Sequence, residues 1–196
     1  MFELKHRVEF REEIKKSRFI AIASPVTSVQ EAVNFIVENS DPSARHNCWA
    51  YKVGNDYRFN DDGEPSGTAG KPILSAIENM ELTNTAVLVI RWFGGIKLGT
   101  GGLCRAYGGS ASKCLQSGSL EKIIEKEKVS ISVPFELSNT LYRFLSENGI
   151  SVLQESFEPD GLNIVCDFPK TSCEDLNSQL KNMTSGKVKI STDKQA

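Results

Sequence analysis

Apolar residues recur along this chain with two periods, and the switches between them mark out its elements. Residues 2–12 and 17–24 alternate apolar and polar positions, which predicts two strands. Ser28-Val29-Gln30-Glu31 has the pattern of a capping box, with the Ser28 hydroxyl and the Glu31 carboxylate set to bond each other's backbone N–H. It opens a helix predicted to end near Asn39, with Val29, Ala32, Val33, Ile36 and Val37 as its apolar face. Strands over His46–Val53 and Tyr57–Phe59 follow, joined by a turn at Gly54-Asn55. A helix from about Lys71 to Met80 buries Ile73, Leu74, Ile77 and Met80, and Pro72 suits its first turn, where a missing N–H costs nothing. Ala86-Val87-Leu88-Val89-Ile90 is a continuous apolar run, as in a central strand covered on both faces. A further helix runs from about Gly102 to Gln116 and is stopped by Gly118.

The pattern changes near residue 128. Strand (129–134), helix (136–147, closed by Asn148-Gly149), strand (150–157), strand (162–168), helix (172–183) and strand (187–192) give the β-α-β-β-α-β order of a ferredoxin-like unit. Thr171-Ser172-Cys173-Glu174 reads as a second capping box, and Gly186 lies just past its helix. The chain is therefore expected to be α+β, with domains at 1–128 and 129–196.

Charge narrows the partners. The net charge is −2 over 196 residues. Residues 1–128 carry 17 Lys and Arg against 16 Asp and Glu, and residues 129–196 carry 6 against 9. Neither part is the strongly basic body of a general nucleic-acid binder, although a local basic patch is compatible with both. No DNA specificity is evident. No run of 18 apolar residues exists, so no membrane helix is expected. The first seven residues are too charged for a signal-peptide apolar segment, which predicts a cytoplasmic protein. Cys48, Cys104, Cys114, Cys166 and Cys173 are odd in number and lack C-x-x-C spacing, so they read as small buried hydrophobes. No cofactor or metal is expected.

Chemistry concentrates in two Gly-rich polar stretches, Asn60 to Pro72 and Arg91 to Tyr107. Eleven of the 15 glycines lie between Gly54 and Gly109. Gly70-Lys71 resembles the end of a P-loop, but Pro65 stands at the first glycine and Pro72 at the Ser/Thr, removing a backbone donor. Gly99-Thr100-Gly101-Gly102-Leu103-Cys104 begins like a dinucleotide fingerprint and ends in cysteine, with no βαβ unit completed after it. The N-terminus of its helix remains an anion site, beside Arg91, Lys97 and Arg105. Asp61, Asp62 and Glu64 suit acid–base work or Mg²⁺, yet Asp-Asp-Gly-Glu-Pro also reads as a turn and solvated acidic loop. His46 and Cys48 share a strand face about 7 Å apart at their bases, and no third residue is seen to orient the histidine. Trp49, Tyr51, Tyr57, Phe59, Trp92, Phe93 and Tyr107, interleaved with Arg45, Arg58, Arg91 and Arg105, either stack bases or pack a core.

Three long blocks carry a resemblance: Ala44-Arg45-His46-Asn47-Cys48-Trp49-Ala50-Tyr51, then Asp61 through Pro72, then Arg91-Trp92-Phe93-Gly94-Gly95-Ile96-Lys97-Leu98-Gly99. Ser17-Arg18-Phe19-Ile20-Ala21 and Gly101-Gly102-Leu103-Cys104-Arg105-Ala106-Tyr107 add two shorter ones. In these the chain resembles the IMPACT (YigZ-like) family, with Trp92 where Tyr is usual and Cys104 where an aliphatic is usual. The resemblance implies a ribosomal protein S5 domain 2-like N-terminal domain. It also implies a ferredoxin-like second domain of the kind that ends bacterial translocation elongation factors. In eukaryotic members the shared domain is associated with control of translation initiation, through competition for an activator of an amino-acid-starvation kinase.

The expectation is a non-catalytic regulator of translation or the translation stress response. It would bind RNA, the ribosome or a ribosome-associated protein through the Gly-rich surface. Arg45, His46, Asp61, Asp62, Glu64, Ser66, Thr68, Lys71, Arg91, Gly94, Gly95, Lys97, Gly101, Gly102 and Arg105 are its candidate binding residues. The other reading is a small-molecule or nucleotide-phosphate enzyme, using the acidic loop beside the anion-binding helix end.

Overall fold

The alternation of residues along a few strands determines which side chains reach the site. The computed structural model describes residues 1–192 and divides into two units, Met1–Ile123 and a second beginning at Ile124. The division falls before the boundary read from the sequence because residues 126–128 already belong to a strand of the second unit.

In the first unit, β2 (Val8–Ile14), β3 (Ser17–Pro25), β4 (His46–Val53), β5 (Asp56–Asn60) and β6 (Thr85–Trp92) form one antiparallel sheet in the order β2-β3-β6-β4-β5. The strand predicted over 2–12 is two elements, because Lys5-His6-Arg7 interrupts it. The separate β1 (Phe2–Leu4) pairs with β7 (Leu120–Lys122), which has no counterpart in the sequence prediction.

Strand β6 is central and buried on both faces, as its apolar run predicts. Its Ala86, Leu88 and Ile90 meet α1 (Val29–Asn39), whereas Val87 and Val89 meet α2 (Gly70–Asn79) and α3 (Thr100–Gln116). The sheet is thus a middle layer between α1 and the α2/α3 pair. Helix α1 buries Ala32, Phe35 and Ile36, while Val33 and Val37 are exposed, contrary to the predicted face. The aromatic bulk of Phe35 turns the helix toward its own side.

The predicted capping boxes resolve differently. Ser28 Oγ accepts from the Glu31 N–H at 3.2 Å, but the Glu31 carboxylate reaches Thr27 instead, accepting from its N–H and hydroxyl at 2.7 Å each. Ser172 makes no capping bond, because a 3₁₀ turn at Lys170–Ser172 carries the chain into the helix and places no extended residue before it.

The second unit runs β8 (Lys126–Val133), α4 (Ser138–Glu147), β9 (Val152–Glu158), β10 (Gly161–Pro169), α5 (Cys173–Met183) and β11 (Lys189–Thr192). Its antiparallel order is β11-β8-β10-β9, the ferredoxin-like arrangement. Val129, Ile131 and Val133 of β8 pack with Leu162, Ile164, Cys166 and Phe168 of β10 under Leu141, Phe144, Leu176 and Leu180 of the helices. Residues 193–196 of the predicted second domain lie outside the described residues. The fold class is α+β. Among the described residues no helix is long and apolar enough to cross a membrane.

Candidate functional site

Period two brings three polar residues to one edge of the α2/α3 face. On β6 the residues facing α2 and α3 are Val87, Val89 and then Arg91; on β4, Ala50, Cys48 and then His46; on β3, Ala21, Phe19 and then Ser17. Register places His46 and Phe19 opposite Arg91 from either side. A buried arginine requires a counter-charge and donors satisfied by acceptors. Glu64, from the loop after β5, supplies it: Arg91 Nη1 donates to Glu64 Oε1 at 2.5 Å, and both side chains are almost wholly buried. Tyr107, from α3, donates its hydroxyl to the same oxygen at 2.8 Å. Burial, foremost, together with the neighbouring Cys48 and Glu64, pushes the Tyr107 phenol far up, so it remains a donor at any physiological pH. Arg91 Nη2 reaches Ser17 Oγ at 3.5 Å, and among the described residues Arg91 Nε has no partner.

His46 sits beside this pair. Its Nδ1 is 2.7 Å from the Asp62 carbonyl oxygen, which can only accept, so Nδ1 carries the hydrogen. Nε2 then points toward Glu64 Oε1 at 3.7 Å, beyond hydrogen-bond length. The expectation that nothing orients His46 is corrected: a backbone carbonyl does. Cys48 is fully buried, donates to the Asp61 carbonyl at 3.0 Å, and has its thiol pushed up chiefly by burial, which leaves no thiolate for a Cys/His nucleophilic pair.

The acidic loop is structural at two of its three carboxylates. Asp61 accepts from the N–H of Gly67 at 2.8 Å, Ala69 at 2.9 Å and Gly70 at 2.8 Å, tying the loop to the start of α2. Asp62 accepts from the Asn47 N–H at 2.5 Å while holding a left-handed φ of 41°. Among the described residues, no three His, Cys, Asp or Glu side chains converge as a metal site. The loop instead points Glu64 inward, which a reading of Asp-Asp-Gly-Glu-Pro as a solvated turn did not predict.

Over the Glu64–Arg91 pair opens a cleft of about 430 Å³. Arg45, His46, Glu64, Arg91 and Lys97 of the predicted set line it, with Phe93, Leu98, Leu103, Pro65, Gly63, Gly99 and Thr100. Gly99, at φ 73°, precedes α3 and offers no side-chain cap, so among the described residues the first amides of this 17-residue helix have no capping side chain from their N-cap. Gly94 lies behind the cleft, and a Cβ there would stand 1.8 Å from the Lys16 carbonyl oxygen; its N–H donates to Ser17 Oγ at 3.2 Å.

The remaining predicted residues do not line the cleft. Thr68 is buried and donates its hydroxyl to Pro65 O at 2.6 Å, closing a turn. Ser66 and Gly95 are exposed elsewhere on these loops, and Lys71 is exposed in the first turn of α2. Gly101 and Gly102 are in the first turn of α3, and the exposed Arg105 brings its guanidinium 3.5 Å from where a Gly101 Cβ would be. Tyr107 and Ser17 were not predicted as site residues. Their signal was positional: Ser17 opens one of the two short blocks and Tyr107 closes the other.

Residues 15–115 match the Impact N-terminal domain. The chain is similar to an "IMPACT family member in pol 5'region" from Thermus thermophilus, 40% identical, covering 80% of this chain and 86% of that protein. It is also similar to an IMPACT family member from Haemophilus influenzae, 33% identical over 95% of this chain and 93% of that protein. Similarity to Protein IMPACT of Xenopus laevis, 35% identical, covers 43% of this chain and 30% of that protein. A crystal structure titled as that of an hypothetical protein superposes with a TM-score of 0.69 at 27% identity, over 100% of this chain and 98% of the other. The domain match spans the three strands, the acidic loop and the helix that build the cleft, and the relatives extend the likeness through the second unit: the chain belongs to the IMPACT family.

Proposed function

We infer that this protein regulates translation, in growth or under stress, by binding RNA on or near the ribosome through the cleft at the start of α3. The observation that carries this reading is the cleft's charge. Arg45 and Lys97 are exposed at its rim, and the end of α3, with no side-chain cap from Gly99, adds the positive end of a helix dipole. Against these stands one carboxylate, Glu64, already neutralised by Arg91 and Tyr107. The cleft therefore favours an anion in a chain whose overall charge is −2. Phosphate-rich RNA is the anion that a translation-linked family would meet, and Phe93, 42% exposed on the wall, offers a face for a base. A ribosome-associated acidic protein is the other occupant compatible with the same charge.

The enzyme reading finds little support. It needed Asp61, Asp62 and Glu64 together, and each is bound to backbone or arginine.

The test is sedimentation of the full chain with ribosomes and separated subunits across a salt series. Salt-sensitive co-sedimentation that falls at least tenfold in Arg45→Glu/Lys97→Glu is expected. No association at low salt, or association indifferent to both substitutions, would overturn the reading.

A further inference from the structure

The shape of the cleft is more selective than its charge. A flat basic surface would track a continuous phosphate backbone. Here the cationic groups and the helix end surround a concavity of about 430 Å³, within the roughly 300–1,000 Å³ of small-molecule sites. Its lining combines polar groups, Lys97 and Thr100 at the start of α3, with apolar ones, Phe93, Leu98 and Leu103. Arg91 is 95% buried in the floor, and its Nε meets no acceptor among the described residues. Buried guanidinium nitrogens are ordinarily satisfied, so Arg91 keeps one unused donor, itself shielded from solvent, in the residue that floors the cleft. The Arg91 guanidinium lies 5.6 Å from the centre of the Phe93 ring, and that of Arg45 lies 5.9 Å from it, so cationic donors and a flat aromatic wall are adjacent.

Resting on the reading of this cleft as an anion-receiving face, we propose that it is a subsite for a single nucleotide bearing a terminal phosphate. The phosphate is received at the N-terminus of α3, with Lys97 and Arg45 beside it, and the ring of the base lies against Phe93. A terminal phosphate carries more charge than a backbone phosphodiester and exposes three oxygens, which suits a pocket offering several donors on one side. Such a group is found on free nucleoside monophosphates and on the 5′ end of processed RNA, and the chemistry of the cleft is the same for both.

Isothermal titration calorimetry of the full chain against AMP, GMP, CMP, UMP and inorganic phosphate tests it, beside 5′-phosphorylated and 5′-hydroxyl oligoribonucleotides of one sequence. The expected result is binding of a phosphate-terminated ligand that Lys97→Ala weakens at least tenfold. Phe93→Ala should weaken the nucleotide and leave inorganic phosphate unchanged. Both positions are exposed, so the variants keep the fold. Binding of free mononucleotides assigns the subsite to a small ligand. Binding of the 5′-phosphorylated oligonucleotide alone, with the 5′-hydroxyl form inert, assigns it to an RNA end. Either upholds the proposal. No binding of any probe at millimolar concentration, or binding indifferent to both substitutions, overturns it. Ribosome co-sedimentation that survives such a failure leaves the wider reading intact, so the two are separable.

Discussion

Glu64 Oε1 accepts from both Arg91 and Tyr107, which concentrates much of the site's stability in one atom. Removing one partner of a buried ion pair leaves an uncompensated charge and commonly costs about 3–5 kcal/mol. Glu64→Ala should destabilise the chain on that scale in urea unfolding. Tyr107→Phe removes one hydrogen bond to a charged group, about 1.5–3 kcal/mol, and should cost less in the Glu64→Ala background than in the parent. A Tyr107→Phe cost that is the same in both backgrounds would show that the hydroxyl does not act through Glu64. Arg91 was legible in the sequence as a candidate, and the period of β6 explains its burial. Glu64 was legible as a binding candidate, but its pairing with Arg91 and Tyr107 was not. Its orientation depends on Asp61 and Asp62 gripping backbone on either side of the loop, and such long-range bonds leave no periodic trace.

At the scale of elements, the loop from Asp61 to Ala69 behaves as the N-terminal cap of α2. Asp61 replaces the absent side-chain bond of the Ala69 N-cap by accepting from three consecutive or near-consecutive amides. Ser, Thr, Asn or Asp caps lost to Ala cost about 0.5–2 kcal/mol each. Asp61→Ala should fall at or above the top of that range, and hydrogen exchange should accelerate first at Gly67, Ala69 and Gly70. Unchanged protection at those amides would sink this account. The helices and long strands were readable because each buries enough residues to impose a period. The β1–β7 pair was not, since three residues per strand carry too little pattern and the partners lie far apart in sequence. The face of α1 was misassigned for a related reason: Val33 and Val37 fit the helical period as well as Phe35 does, and only the packing of Phe35 beside Tyr51, Leu88 and Ile90 selects between them.

Across the molecule, each unit has a core of its own. The second gathers β8, β10, α4 and α5 around Val129, Ile131, Phe144, Ile164 and Phe168. A fragment beginning at residue 124 should therefore unfold cooperatively on heating, with the circular dichroism of a mixed α/β domain. A fragment without a thermal transition would show that this core needs the first unit. The division into two such bodies was visible in the order of predicted elements, while its location was displaced because Lys126-Glu127-Lys128 looks like a charged linker and is the start of β8.

The close approach of Gly94 to the Lys16 carbonyl fastens the turn between β2 and β3 to the back of the cleft. Lys16 is itself exposed and stands outside the cleft lining. A fluorophore attached there would report on the far side of the wall, sensing occupancy without blocking the mouth. The same junction makes the hairpin a poor place for inserted tags, because a shift of its backbone is transmitted to Ser17, Gly94 and Arg91 together.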